Sequence, residues 1–200
     1  MSDPLSIIPI TALVAIVIFV AKEVIESFRR YGADRRKVQA LRTLLARECE
    51  LNLWTIKLLR GIVLPFSTPD DPSTPKALSV GVTGGGVPYA KISSEDGTYV
   101  AQMGVPPVHR ELMSKFLLDI ATLDKLLFSF TEPAYDELAE VEHVRESLLN
   151  INDRPEQIPA REFVLGFSQY AVDVLQKAER RLGALYVHCT GKPLEQHRLR

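Results

Sequence analysis

The stretch from Leu5 to Ala21 constrains this chain more than any other. It holds about 17 residues without a charge and is rich in Val and Ile. As a helix it is roughly 25 Å long at about 1.5 Å per residue, against the roughly 30 Å of a bilayer core. Continuing through Lys22 and Glu23, whose side chains can snorkel or pair, to Val24 and Ile25 closes the gap. Pro9 falls in the first turn or two, where a missing N–H costs least. We therefore expect a transmembrane helix with its limits at Leu5 and Ala21. A cleaved secretory signal needs a basic leader, yet Met1 to Leu5 contains Asp3 and no Lys or Arg.

The charges behind this stretch give it a direction. Lys22, Arg29, Arg30, Arg35, Arg36 and Lys37 follow closely, and such residues resist translocation. The expected topology places the N-terminus outside and the rest in the cytoplasm, at the inner (plasma) membrane. From Lys22 to Ile62 there are ten Lys/Arg against five Asp/Glu, whereas Val63 to Arg200 carries fourteen against nineteen. Arg29, Arg30, Arg35, Arg36 and Lys37 thus become candidate contacts for anionic lipid head groups. The whole-chain charge of -1 gives no general case for nucleic acid, so the expected partners are membrane lipid and a protein, either another chain or a second copy.

Beyond the anchor the pattern is mainly α. A helical anchor and juxtamembrane piece spans 1–30, a break falls at Tyr31-Gly32-Ala33, and Asp34 caps a new helix. Val38, Leu41, Leu45, Cys49, Leu53 and Ile56 recur at helical spacing along it until Gly61 to Pro65. The proline-dense run from Leu64 to Pro75 is a loop. Three strand-like runs, 78–82, 87–92 and 98–103, are separated by Gly84-Gly85-Gly86 and by Glu95-Asp96-Gly97, predicting an inserted hairpin or meander. Leu112, Phe116, Ile120, Leu123, Leu127 and Phe130 then mark a helix ending at Thr131-Glu132-Pro133. Tyr135, Leu138, Val141, Val144, Leu148 and Ile151 mark the next. Phe163, Phe167, Tyr170, Val174, Ala178, Arg181 and Leu185 mark the last. The expected architecture is a four-helix-bundle-like domain over 34–190, with a β insertion at about 78–103 and a polar tail at 191–200.

Chemistry-bearing residues are sparse. Glu140 and His143 place a carboxylate and an imidazole on adjacent turns, but a bundle metal centre needs a second such unit and the chain has none; no metal or cofactor is expected. Cys49 and Cys189 lack metal-ligand spacing and read as small buried apolar residues in a reducing compartment. Trp54, the lone tryptophan, reads first as core and second as an interaction anchor. Arg181 and His188 have a spacing that resembles the Arg-x(4–6)-His element of the helical nucleases known as HEPN domains, although Leu182 stands where that family carries a polar residue. The resemblance implies a metal-independent ribonuclease, with His188 working on a ribose hydroxyl and Arg181 on the phosphate. The reading expected to hold is a membrane-anchored helical protein acting through contacts, as scaffold, sensor or subunit of a membrane assembly. The tethered ribonuclease and a membrane-acting effector are its alternatives.

Overall fold

A computed structural model describes residues 10–68, 77–93, 99–152 and 161–194. It is mainly helical, with four α-helices among the described residues and one small antiparallel sheet. In chain order these are α1 (Ile10–Val63), β1 (Ala77–Val82), β2 (Pro88–Ser93), β3 (Tyr99–Gly104), α2 (Glu111–Leu123), α3 (Lys125–Leu149) and α4 (Arg161–Thr190). The chain divides into two compact units, 1–40 and 41–200, and α1 contributes to both.

In the first unit α1 passes through Tyr31-Gly32-Ala33 without the expected break. One glycine in a helix costs about 1 kcal/mol relative to alanine, which is too little to stop a helix flanked by good formers. Asp34 is accordingly a mid-helix residue and caps nothing. Among the described residues no helix is long and apolar enough to cross a membrane. The physical reason is short reach: the uncharged part of α1 is Ile10 to Ala21, twelve residues and roughly 18 Å, and Lys22, Glu23 and Glu26 follow at once. The first part of the expected span, 5–9, lies outside the described residues.

The second unit holds the core. Leu41, Leu45, Cys49, Leu53 and Ile56 of α1 are buried, as their spacing predicts, and Leu59, Ile62 and Val63 extend the stripe to the helix end. The three strands form a meander in the order β1-β2-β3, with Val80 opposite Ala90 and Ala90 opposite Met103. The central strand buries Ala90 and Ile92. Gly86, at φ 79°, closes the β1–β2 turn with its N–H on the Thr83 carbonyl (2.9 Å); glycine adopts that backbone without a Cβ clash. The expected turn at 95–97 falls outside the described residues. Met103 closes on α1 so tightly that a Cβ at Gly61 would stand 2.8 Å from its terminal methyl.

Two helix assignments are corrected. The boundary after α2 falls at Asp124, nine residues before Pro133, which sits inside α3. Asp124 has an extended backbone, and its carboxylate accepts the Leu127 N–H (2.9 Å), capping α3. An interior proline costs about 3 kcal/mol. Burial of Leu127, Thr131, Ala134, Leu138, Val141, Val144 and Leu148 along one face of α3 outweighs it. On α4 the expected Val174, Ala178 and Leu185 are buried, and Ser168, Ala171, Leu175 and Leu182 join them, while Phe163, Tyr170 and Arg181 are exposed. Tyr170 has an apolar ring and a polar tip, and at the solvent edge its hydroxyl donates to Glu140 (2.9 Å).

Candidate interaction surfaces

The buried face of α1 is interrupted by three polar residues, Glu48, Asn52 and Thr55, four and three positions apart and all almost fully buried. Together they hold the connector between β3 and α2. The Thr55 hydroxyl donates to the Pro107 carbonyl (2.9 Å), and the Asn52 amide both donates to the His109 carbonyl (2.6 Å) and accepts the His109 N–H (2.9 Å). The Glu48 carboxylate accepts the backbone N–H groups of Leu112 and Met113 (3.0 and 2.9 Å). It therefore caps α2 from another element, using the unpaired donors and positive end of that helix. Burial pushes the Glu48 carboxyl above its usual range, and the two N–H bonds oppose that rise. The Arg145 guanidinium adds a bond to the Pro106 carbonyl (2.8 Å). The side-chain polar groups of Glu48, Asn52 and Thr55 are all bonded to the chain itself, so the ladder positions structure. Three polar residues inside an apolar heptad stripe were the signal for it in the sequence.

Trp54 is not a core residue. It is 49% exposed, in line with Leu44 at 39% and with half-buried Leu51 and Leu58, seven, three and four positions apart. Arg47, three residues after Leu44 and four before Leu51, falls within this ridge on the outer side of α1, its guanidinium turned to Glu50 (3.0 Å). An aromatic flanked by aliphatics at helical spacing is what a helix-sized partner engages.

The other singled-out residues are spread over α1, α3 and α4. Arg181 is exposed on α4. The His188 ring stacks on Phe130, centroids 4.7 Å apart, with its Nε2 covered. Arg181 is thus a surface cation and His188 a packed aromatic, seven positions apart on α4. Glu140 and His143 are both exposed, and Glu140 is engaged by Tyr170. Among the described residues no group of three or more His, Cys, Asp or Glu side chains could hold a metal ion. Cys49 and Cys189 are free thiols. Burial raises Cys49 well above its usual range and Cys189 to about 11, which leaves little of the nucleophilic thiolate.

The first unit offers a different surface. Leu13, Val14, Ile16, Val17, Ile18, Phe19, Val20, Val24 and Ile25 are each about half exposed or more and lie on every side of α1. Arg29, Arg30, Arg35, Arg36 and Lys37 follow, all exposed. Arg30 takes an ion pair with Glu26 (2.7 Å).

No family model, curated protein or solved structure matches the chain.

Proposed function

We propose that this chain is a membrane-tethered helical protein that acts through protein contacts, as a scaffold, sensor or subunit of a membrane assembly. The carrying observation is the ring of exposed apolar side chains on α1 from Leu13 to Ile25. A helix apolar on all sides is at home only in an apolar medium. The tether runs from Leu5 to Ala21, its N-terminus outside and the domain over 34–190 in the cytoplasm at the inner membrane. The cations behind it, Arg29, Arg30, Arg35, Arg36 and Lys37, enforce that sense and lie against lipid head groups. A single tether confines the second unit near its partner and raises effective concentration. The partner, another membrane protein or a second copy, engages the Leu44–Leu51–Trp54–Leu58 ridge.

A photo-cross-linking residue at position 54, in membranes from the native host, should yield a discrete protein adduct that is lost when Leu51 and Leu58 are changed to Ser. Trp54→Ala should weaken that association by about 2 kcal/mol or more, while a half-exposed position should alter folding stability by about 1 kcal/mol at most. Cross-linking at 54 no stronger than at an exposed residue of α3 such as Glu146 contradicts the contact reading.

A further inference from the structure

The helix that follows the uncharged run has two unlike sides. Lys22, Arg29 and Arg36 recur every seven residues and form one stripe. Arg30 and Lys37, one residue on, widen it by about 100°. Val24, Phe28, Tyr31 and Val38 are spaced by four, three and seven and form a stripe on the opposite side. Phe28 and Tyr31 are 73% and 69% exposed. Glu26 lies within the basic side, bonded to Arg30, Glu23 borders it, and Asp34 stands beyond. From Lys22 to Lys37 six cations face three anions, a net of +3.

We infer that residues 22–38 dock on an anionic lipid surface, with Phe28 and Tyr31 seated at head-group depth and the basic stripe on the lipid phosphates. To do so α1, unbroken from Ile10 to Val63 in the structure, bends near Lys22, where the tether leaves the bilayer. Charge complementarity selects this occupant. Tyr31, an aromatic ring with a polar tip, favours the boundary between acyl chains and head groups, Phe28 beside it adds apolar area, and a basic flank beside them is the pattern of helices that lie in that plane. Arg35, which falls within the apolar stripe, is long enough to carry its guanidinium back to the phosphates. A second copy fits worse. In a parallel pair meeting along Val24, Tyr31 and Val38, Asp34 meets Asp34 and Arg30 meets Arg35, both like-charged. The inference deepens the membrane reading, on which it rests for bringing the segment to a bilayer.

The test uses the full chain with Tyr31→Trp in a Trp54→Phe background, so that position 31 carries the only indole. The protein is reconstituted into phosphatidylcholine vesicles with and without roughly one-third phosphatidylglycerol, each containing acyl-brominated lipid as a quencher. We expect a blue-shifted, strongly quenched indole in the anionic vesicles and a solvent-exposed one in phosphatidylcholine. Arg29→Glu with Arg36→Glu should reduce the ratio of docked to free helix in anionic vesicles by about tenfold or more. Equal quenching in both vesicle types, or none in either, overturns the inference. So does quenching that follows protein concentration and ignores lipid charge, which assigns the face to a second copy. An alkaline carbonate wash separates the two claims: a chain released from both vesicle types defeats the tether, while charge-dependent quenching before the wash still upholds the interfacial helix.

Discussion

Glu48 sits in an environment that its chemistry disfavours. A carboxylate sits almost without solvent contact, held by two backbone N–H groups and opposed by burial. Between the usual carboxyl value near 4.5 and the raised value in the fold, the folded state keeps a proton that the unfolded chain has released. Stability contributed by this group therefore falls as pH rises through that window. Glu48→Gln should remove that slope. It should also cost about 1–3 kcal/mol at neutral pH, because an amide accepts through one oxygen and leaves one buried N–H unpaired. Urea unfolding at a series of pH values reads both effects, and an unchanged midpoint and slope would contradict the capping role. Asp124 runs the other way. Burial raises it, but the Leu127 N–H and Arg42 together hold it below its usual range, so its contribution is lost as pH falls through the acid range.

At the scale of elements, Pro133 and Gly32 separate what the sequence reveals from what it hides. Both were read as helix breakers, and both lie inside helices. Propensity counts local cost, whereas the outcome at Pro133 depends on seven buried side chains of α3. Pro133→Ala should stabilise the second unit by about 1–3 kcal/mol by restoring a bond to the Ser129 carbonyl, read as a rise in Tm; a fall shows that the ring fills a needed space. Gly32→Ala, with open space around its Cβ position, should raise helical ellipticity and favour α1 by about 1 kcal/mol. A loss of ellipticity would put a real break at Gly32. The meander was legible because β-rich runs and glycine turns alternate along 78–103. The α1 core face was legible because its period is undisturbed. On α4 Val174, Ala178 and Leu185 follow the sequence pattern, whereas Phe163 and Tyr170 depart from it because aromatics with a wet edge tolerate exposure. Trp54 was misjudged on the same ground, since composition cannot tell a filled seam from an apolar ridge left outside.

At the scale of the whole molecule, two surfaces carry the proposed function: the ring of exposed apolar side chains at 13–25, and the Trp54 ridge on the second unit. The candidate site was legible only as a list of cations and one tryptophan. The side of α1 on which each lies emerges from the helix geometry. The catalytic candidates Arg181 and His188 drew attention by spacing alone, and spacing does not report that His188 is stacked on Phe130. The measurement that bears most directly on membrane tethering is alkaline carbonate extraction of membranes from cells expressing the full chain, followed by ultracentrifugation and detection of the protein. The account predicts that the chain stays in the pellet and that replacing Val14, Val17 and Val20 with Asp moves it to the supernatant. Recovery of the unmodified chain in the carbonate supernatant contradicts it.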